Sequence, residues 1–173
     1  MTKFGFKEIN QNNWLEPDGV LKAFVKKSPY GKSEPITGND LLNHILKPKL
    51  LESVPENVQA LFEVARGALA YGYLFYPLYT LAAEQLFRVT EAALSYKCKA
   101  LGAPESIENF APMVSCLVNE RIIPSSEFTR WDAIRKLRNF ACHPESQSIL
   151  TPGNAIKLLE GVAGQINFLF SSS

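Results

Sequence analysis

Arg138, Asn139 and His143 are the residues of this chain whose types and spacing best suit joint action on a substrate. They stand in the run Arg135-Lys136-Leu137-Arg138-Asn139-Phe140-Ala141-Cys142-His143-Pro144. An imidazole titrates near neutrality and serves as general acid or base. A guanidinium clamps a phosphate and stabilises charge developing on it. The trio suits phosphodiester chemistry on RNA. His143 takes the proton of a ribose 2′-hydroxyl, that oxygen attacks the neighbouring phosphate, and Arg138 stabilises the pentacoordinate transition state. Asn139 adds a positioning group. This route calls for no metal and no cofactor. The bare spacing is a weak signal, because an Arg and a His this far apart arise often by chance. On an ideal helix, residues five apart lie about 140° apart around the axis. The two side chains converge only if the helix frays or tightens before Pro144. A second reading of His143 stands beside the first: an imidazolium at a helix C-terminus complements the helix dipole.

The neighbours admit paired readings too. Arg130, Arg135 and Lys136 could track an RNA backbone, or they form a solvated helix face. Glu84 could orient Arg138 from a facing helix by a bidentate carboxylate–guanidinium contact. Alternatively it pairs with Arg88 four residues on. Cys142 adjoins His143, but adjacent helical residues point about 100° apart, which argues against a Cys–His nucleophile. Tyr71, Tyr73, Phe75, Tyr76 and Tyr79 have no interleaved cations, so they read as a core or dimer cluster more than as base-stacking rings. His44 has no evident partner and reads as a loop or surface residue.

The elements that must position these groups are helical from Pro55 onward. Val58, Leu61, Phe62, Ala65, Ala68 and Leu69 follow a 3.6-residue spacing. Gly72 and Pro77 interrupt, as a turn or as a kink. A long helix is expected from about Leu78 to Leu101, stopped by Gly102 and Pro104. Its Glu84, Arg88 and Glu91 form one more polar stripe. A third helix is expected over about 107–121, with Ser106 as cap and Pro112 in its first turns. A fourth, capped by Ser125 or Ser126, runs to about His143 with Phe128, Trp131, Ile134, Leu137 and Ala141 on its apolar face. Thr151-Pro152 reads as cap and first position of a last helix. Residues 1–53 differ, with prolines and glycines spread among short segments. Phe4 and Phe6 alternate with polar neighbours as in a strand, and Val20 to Val25 is a second strand candidate. Asn39 or Asp40 is expected to cap a short helix through Leu46. The resulting expectation is an all-α bundle of four to five helices over 54–173, with a small irregular or mixed N-terminal arm over 1–53.

Composition narrows the function classes. The chain has 173 residues, 46% of them hydrophobic and 20% charged, which is ordinary for one globular domain. A net charge of +1 gives no global pull toward nucleic acid, so any such binding needs a local patch. The three cysteines, at 98, 116 and 142, make no disulfide framework and fit a reducing cytoplasm. With only His44 and His143 beside them, they supply a zinc site poorly. The uncharged stretch from Gly67 to Ala83 is short for a membrane span and carries Gly72 and Pro77. No apolar signal segment opens the sequence.

Arg138-Asn139-x-x-x-His143 resembles the Arg-x4–6-His motif of the HEPN superfamily (higher eukaryotes and prokaryotes nucleotide-binding). The stretch Leu81 to Arg88 is similar to the long second helix of such domains. The resemblance covers roughly residues 54–170. It implies a helical bundle and a metal-independent endoribonuclease that leaves 2′,3′-cyclic phosphate, in a toxin–antitoxin or phage-defence setting with an antitoxin partner. It also implies a homodimer whose two Arg–His pairs meet in a cleft between subunits. Some members of the family are catalytically silent and bind a nucleotide or RNA. A plain helical interaction module is the third alternative.

Overall fold

In a computed structural model, residues 3–141 and 150–171 are described, with the side chains of 137–141 excepted. Among these residues lie six α-helices and one two-stranded antiparallel sheet. The order is β1 (Val25–Lys27), β2 (Ser33–Pro35), α1 (Gly38–Ile45), α2 (Glu56–Tyr71), α3 (Leu78–Ala100), α4 (Phe110–Asn119), α5 (Phe128–Ala141) and α6 (Pro152–Ser171). The mostly helical expectation holds, and the small sheet gives the N-terminal region its mixed character.

α3 is the central helix and packs against α2, α4, α5 and α6. Its buried residues fall on several sides, from Tyr79 and Ala83 to Val89, Leu94 and Cys98, as a helix covered by neighbours requires. The interruption at Gly72–Pro77 is a connection between two helices, and α2 folds back along α3. Gly72 is needed there because a Cβ would lie 2.7 Å from the Tyr79 ring. Gly102, at φ +73°, ends the run after α3 as its position suggested. α6 lies alongside α3 in the same direction. The Leu150 N–H donates to Thr80 Oγ1 at 3.1 Å near one end, and the Lys97 ammonium lies 5.4 Å from the Phe170 ring near the other.

The N-terminal region is stitched to this bundle at both ends. Leu21, Leu41 and Ile45 join the same core as α2, α3 and α6. Asn167 accepts from the Leu51 N–H and donates to the Lys49 carbonyl, each at 2.9 Å.

Several local expectations are corrected. Residues 3–6 form turns, and Phe4 and Phe6 stack on each other at 5.9 Å rather than alternating across a strand. Gly19–Ala23 is a 3-10 turn, because the Asp18 side chain accepts the Val20 N–H; the strand begins only at Val25. Thr37, not Asn39 or Asp40, caps α1, while Asp40 completes the reciprocal capping box from the third helical position. Pro55 is the cap residue of α2 rather than its first helical residue. α4 starts at Phe110 after Asn109, not after Ser106, and ends at Asn119. Pro112 falls within its first turn, where the N–H has no helical acceptor. The start of α6 is as expected: Thr151 Oγ1 accepts the Asn154 N–H at 3.3 Å.

Candidate functional site

α5 carries the motif, and two large side chains anchor it. Trp131 is 1% exposed and Ile134 is also buried, so the helix is pinned against α3 and α4. The 3-10 turn Ser125–Glu127 leads into it. Position 138 follows Trp131 by seven residues, which places it about 20° away on the same stripe of the helix backbone. Arg138 and Asn139 therefore occupy the last turn of a helix whose packed stripe runs up to the motif. Their side chains, and those of Leu137 and Ala141, lie outside the described residues. So do Cys142, His143 and Pro144.

Leu150, just before α6, has its N–H held by Thr80 in the first turn of α3. The start of α6 is thereby held at the α2–α3 connection. The N-terminal region docks at that same end. Asp18 is 1% exposed. Its Oδ2 accepts the Tyr76 N–H at 3.0 Å and the Lys7 N–H at 3.3 Å, and its Oδ1 accepts the Val20 N–H at 3.2 Å. The Asp18 N–H donates to the Tyr73 carbonyl at 3.0 Å. Burial, and then the Asp18 charge, push the Tyr76 hydroxyl above its ordinary range.

Three cations of α5, Arg130, Arg135 and Lys136, are each engaged by an acid one turn away. Arg130 faces Glu127 at 3.5 Å. Asp132 holds Arg135 at 2.7 Å and Lys136 at 2.9 Å. The Lys136 hydrogen bond first, and the Arg135 bond next, keep the Asp132 carboxyl below its usual value. Lys136 is still 71% exposed and Arg130 60%, so these are surface pairs that a polyanion could displace at a modest cost. Glu84 is half-buried on α3 and makes no ion pair with Arg88 among the described residues, although their spacing offers one. The aromatic cluster divides: Tyr76 and Tyr79 are core residues in edge-to-face contact at 5.6 Å, while Tyr71 stays exposed. His44 is exposed on the last turn of α1.

At the opposite end of α3 is a cleft of about 630 Å³ lined by Ser95, Cys98, Lys99, Glu105, Ile107 and Glu108. Eighteen residues of helix separate Thr80 from Cys98, a span of about 27 Å. The cleft is therefore separate from the end at which Leu150 and Asp18 dock. Burial pushes the Cys98 thiol up to about 11, and the nearby Cys116 adds to the shift, so it is protonated and a poor nucleophile at neutral pH. Among the described residues no three His, Cys, Asp or Glu side chains gather as a metal site, and no helix is long and apolar enough to cross a membrane.

Asp18 was not visible as a site-building residue in the sequence. Its one local signal was the turn Pro17-Asp18-Gly19, whereas its partner Tyr76 is remote in the chain. Compared with known proteins, the chain matches no family model, no curated protein and no solved structure.

Proposed function

We propose that the chain is a metal-independent endoribonuclease of the HEPN type, acting as a homodimer. The observation that supports this most is the placement of Arg138 and Asn139 in the last turn of α5, in a helical bundle, with position 138 on the backbone stripe that Trp131 and Ile134 pin to α3 and α4. In this reading His143 removes the 2′-hydroxyl proton. The O2′–P bond forms as the P–O5′ bond breaks, the leaving 5′-oxygen takes up a proton, and a 2′,3′-cyclic phosphate remains. Arg138 neutralises the charge that builds on the phosphoryl oxygens. Asn139 positions the phosphate, and Glu84 is a positioning residue for Arg138. Pairing two copies would let each chain complete the other's Arg–His geometry. The family resemblance also suggests a toxin or defence setting with a protein partner that silences the activity.

The pairing of Arg130, Arg135 and Lys136 with acids favours a second reading, a silent domain that holds a nucleotide or an RNA end without tracking a long backbone. One experiment separates the two. RNA cleavage is measured in EDTA for the wild type, Arg138→Ala and His143→Ala across single-stranded and structured RNAs. Cyclic-phosphate products from the wild type alone, with both variants still folded, support the nuclease. Cleavage that survives in both variants refutes the site. Ligand-dependent thermal stabilisation without any cleavage selects the silent domain.

A further inference from the structure

The β1–β2 hairpin concentrates charge that the chain as a whole lacks. Between Gly19 and Ile36 stand Lys22, Lys26, Lys27 and Lys32 against the single acid Glu34, a net +3 on a chain whose total is +1. Lys26 is committed to Asp40 at 2.6 Å and fixes the hairpin to α1. Lys22, Lys27 and Lys32 are exposed. The strands pair Val25 with Pro35, Lys26 with Glu34 and Lys27 with Ser33, and Ser28-Pro29-Tyr30-Gly31 closes them. That turn is well specified. Pro29 presets its backbone, and Gly31 takes φ +76°. The Gly31 N–H donates to the Ser28 carbonyl at 2.9 Å, and the Ser28 N–H to the Lys32 carbonyl at 2.7 Å. Tyr30 projects from the tip 91% exposed, the most exposed large apolar side chain among the described residues.

An exposed aromatic ring on a defined turn, flanked by free cations, is the arrangement that binds single-stranded nucleic acid: the ring stacks a base, and the ammonium groups follow the phosphates. The five aromatics of the α2–α3 connection lack those cations. The hairpin is rooted at the α2–α3 connection. Phe24, just before β1, lies 6.1 Å from Tyr76, and a Cβ on Gly38, just after β2, would lie 3.0 Å from the Tyr73 ring. We infer that the Lys27–Lys32 hairpin tip is a binding element for single-stranded RNA, with Tyr30 stacking on a base and Lys27 and Lys32 contacting flanking phosphates. The inference deepens the ribonuclease reading and rests on it for the choice of RNA.

The test is fluorescence anisotropy with a labelled 2′-O-methyl oligouridine, which lacks the nucleophilic hydroxyl and so reports binding without cleavage. The full chain is compared with Tyr30→Ala and with Lys27→Ala/Lys32→Ala, at several salt concentrations. Tyr30→Ala is expected to weaken binding about tenfold, within the range of one lost base stack. The double lysine variant is expected to lower the slope of log K against log salt by about 1.4, the release of two counterions from a single strand. These side chains are exposed, so unchanged melting temperatures will show that the fold is intact. The inference is overturned if the wild type does not bind the oligonucleotide, if both variants bind like the wild type, or if phosphatidylserine vesicles bind through the tip and the oligonucleotide does not. Tip-dependent binding by a protein that cleaves no RNA would refute the nuclease and leave the hairpin assignment standing. Cleavage with tip-independent binding would do the reverse.

Discussion

Removing the Asp18 carboxylate should loosen the N-terminal region from the bundle while leaving the helices in place. Asp18→Ala withdraws an acceptor from the Val20, Tyr76 and Lys7 N–H groups at once. The Tyr76 N–H is the costly one, because that bond is buried and a stranded buried donor costs about 1–3 kcal/mol. The lost cap of the 3-10 turn adds about 1 kcal/mol. The Lys7 bond, at 3.3 Å and only partly buried, adds little. The total is about 3 kcal/mol, which for a chain of this size lowers the melting temperature by about 6–12 °C. Asp18→Asn should fall between the two, since it keeps one oxygen and turns an amide NH2 toward either Val20 or Tyr76. Thermal melts give the size of the effect, and amide hydrogen exchange gives its location. Protection should fall over Gly19 to Thr37 and persist in α3 and α6. A shift below about 2 °C for Asp18→Ala would refute the reasoning. So would an Asn variant as stable as the wild type, since the geometry leaves no place for the amide donors.

Gly72→Ala should destabilise by about 1–3 kcal/mol through overpacking alone. Gly72 has an ordinary helical φ of −56°, but the new Cβ would meet the fully buried Tyr79 ring at 2.7 Å; a melting temperature equal to the wild type's would count against that contact. The Asp40 carboxyl is held at about 2, below its ordinary 3.8, by the Lys26 ammonium first and the Thr37 hydroxyl next. A depressed carboxyl stabilises fully above its unfolded value and loses that contribution as pH falls through its folded one. The stability gap between wild type and Asp40→Asn should therefore stay constant from neutrality to about pH 4 and close between about 4 and 2, as followed by urea unfolding at each pH. A gap that stays constant below pH 2 would show that Asp40 acts through its shape and not its charge.

The bundle was legible because its signals are local. α3 spans Leu78–Ala100 against an expected Leu78 to Leu101, since a long 3.6-residue pattern between Pro77 and Gly102 leaves little choice. α6 follows its Thr151-Pro152 start for the same reason. The N-terminal region was harder to read because its order comes from contacts remote in sequence. Phe6 finds its edge-to-face partner in Phe75, and the carboxylate of Asp18 finds Tyr76. In β1 and β2 the residues are Val-Lys-Lys and Ser-Glu-Pro, with no alternation to mark a strand. The signal for that hairpin lay in its turn, Pro29-Tyr30-Gly31, and not in its strands.

The candidate site shows the same division. Arg138, Asn139 and His143 were visible as a spacing, and the acids that engage Arg130, Arg135 and Lys136 lie within one turn of them. What spacing could not show is which end of the bundle receives the stretch leading into α6. That is decided by one hydroxyl: Thr80, in the first turn of α3, accepts the N–H of Leu150 from across most of the helical region. The bond seats Leu150 at the α2–α3 end of the bundle, where Asp18 anchors the N-terminal region and its basic hairpin. A strand of RNA gripped by that hairpin would thus lie at this end of α3, about 27 Å of helix away from the Cys98 cleft. Because Asp18 ties the hairpin region to this end of the bundle, loosening it should weaken RNA binding in the same anisotropy assay even though it touches no RNA.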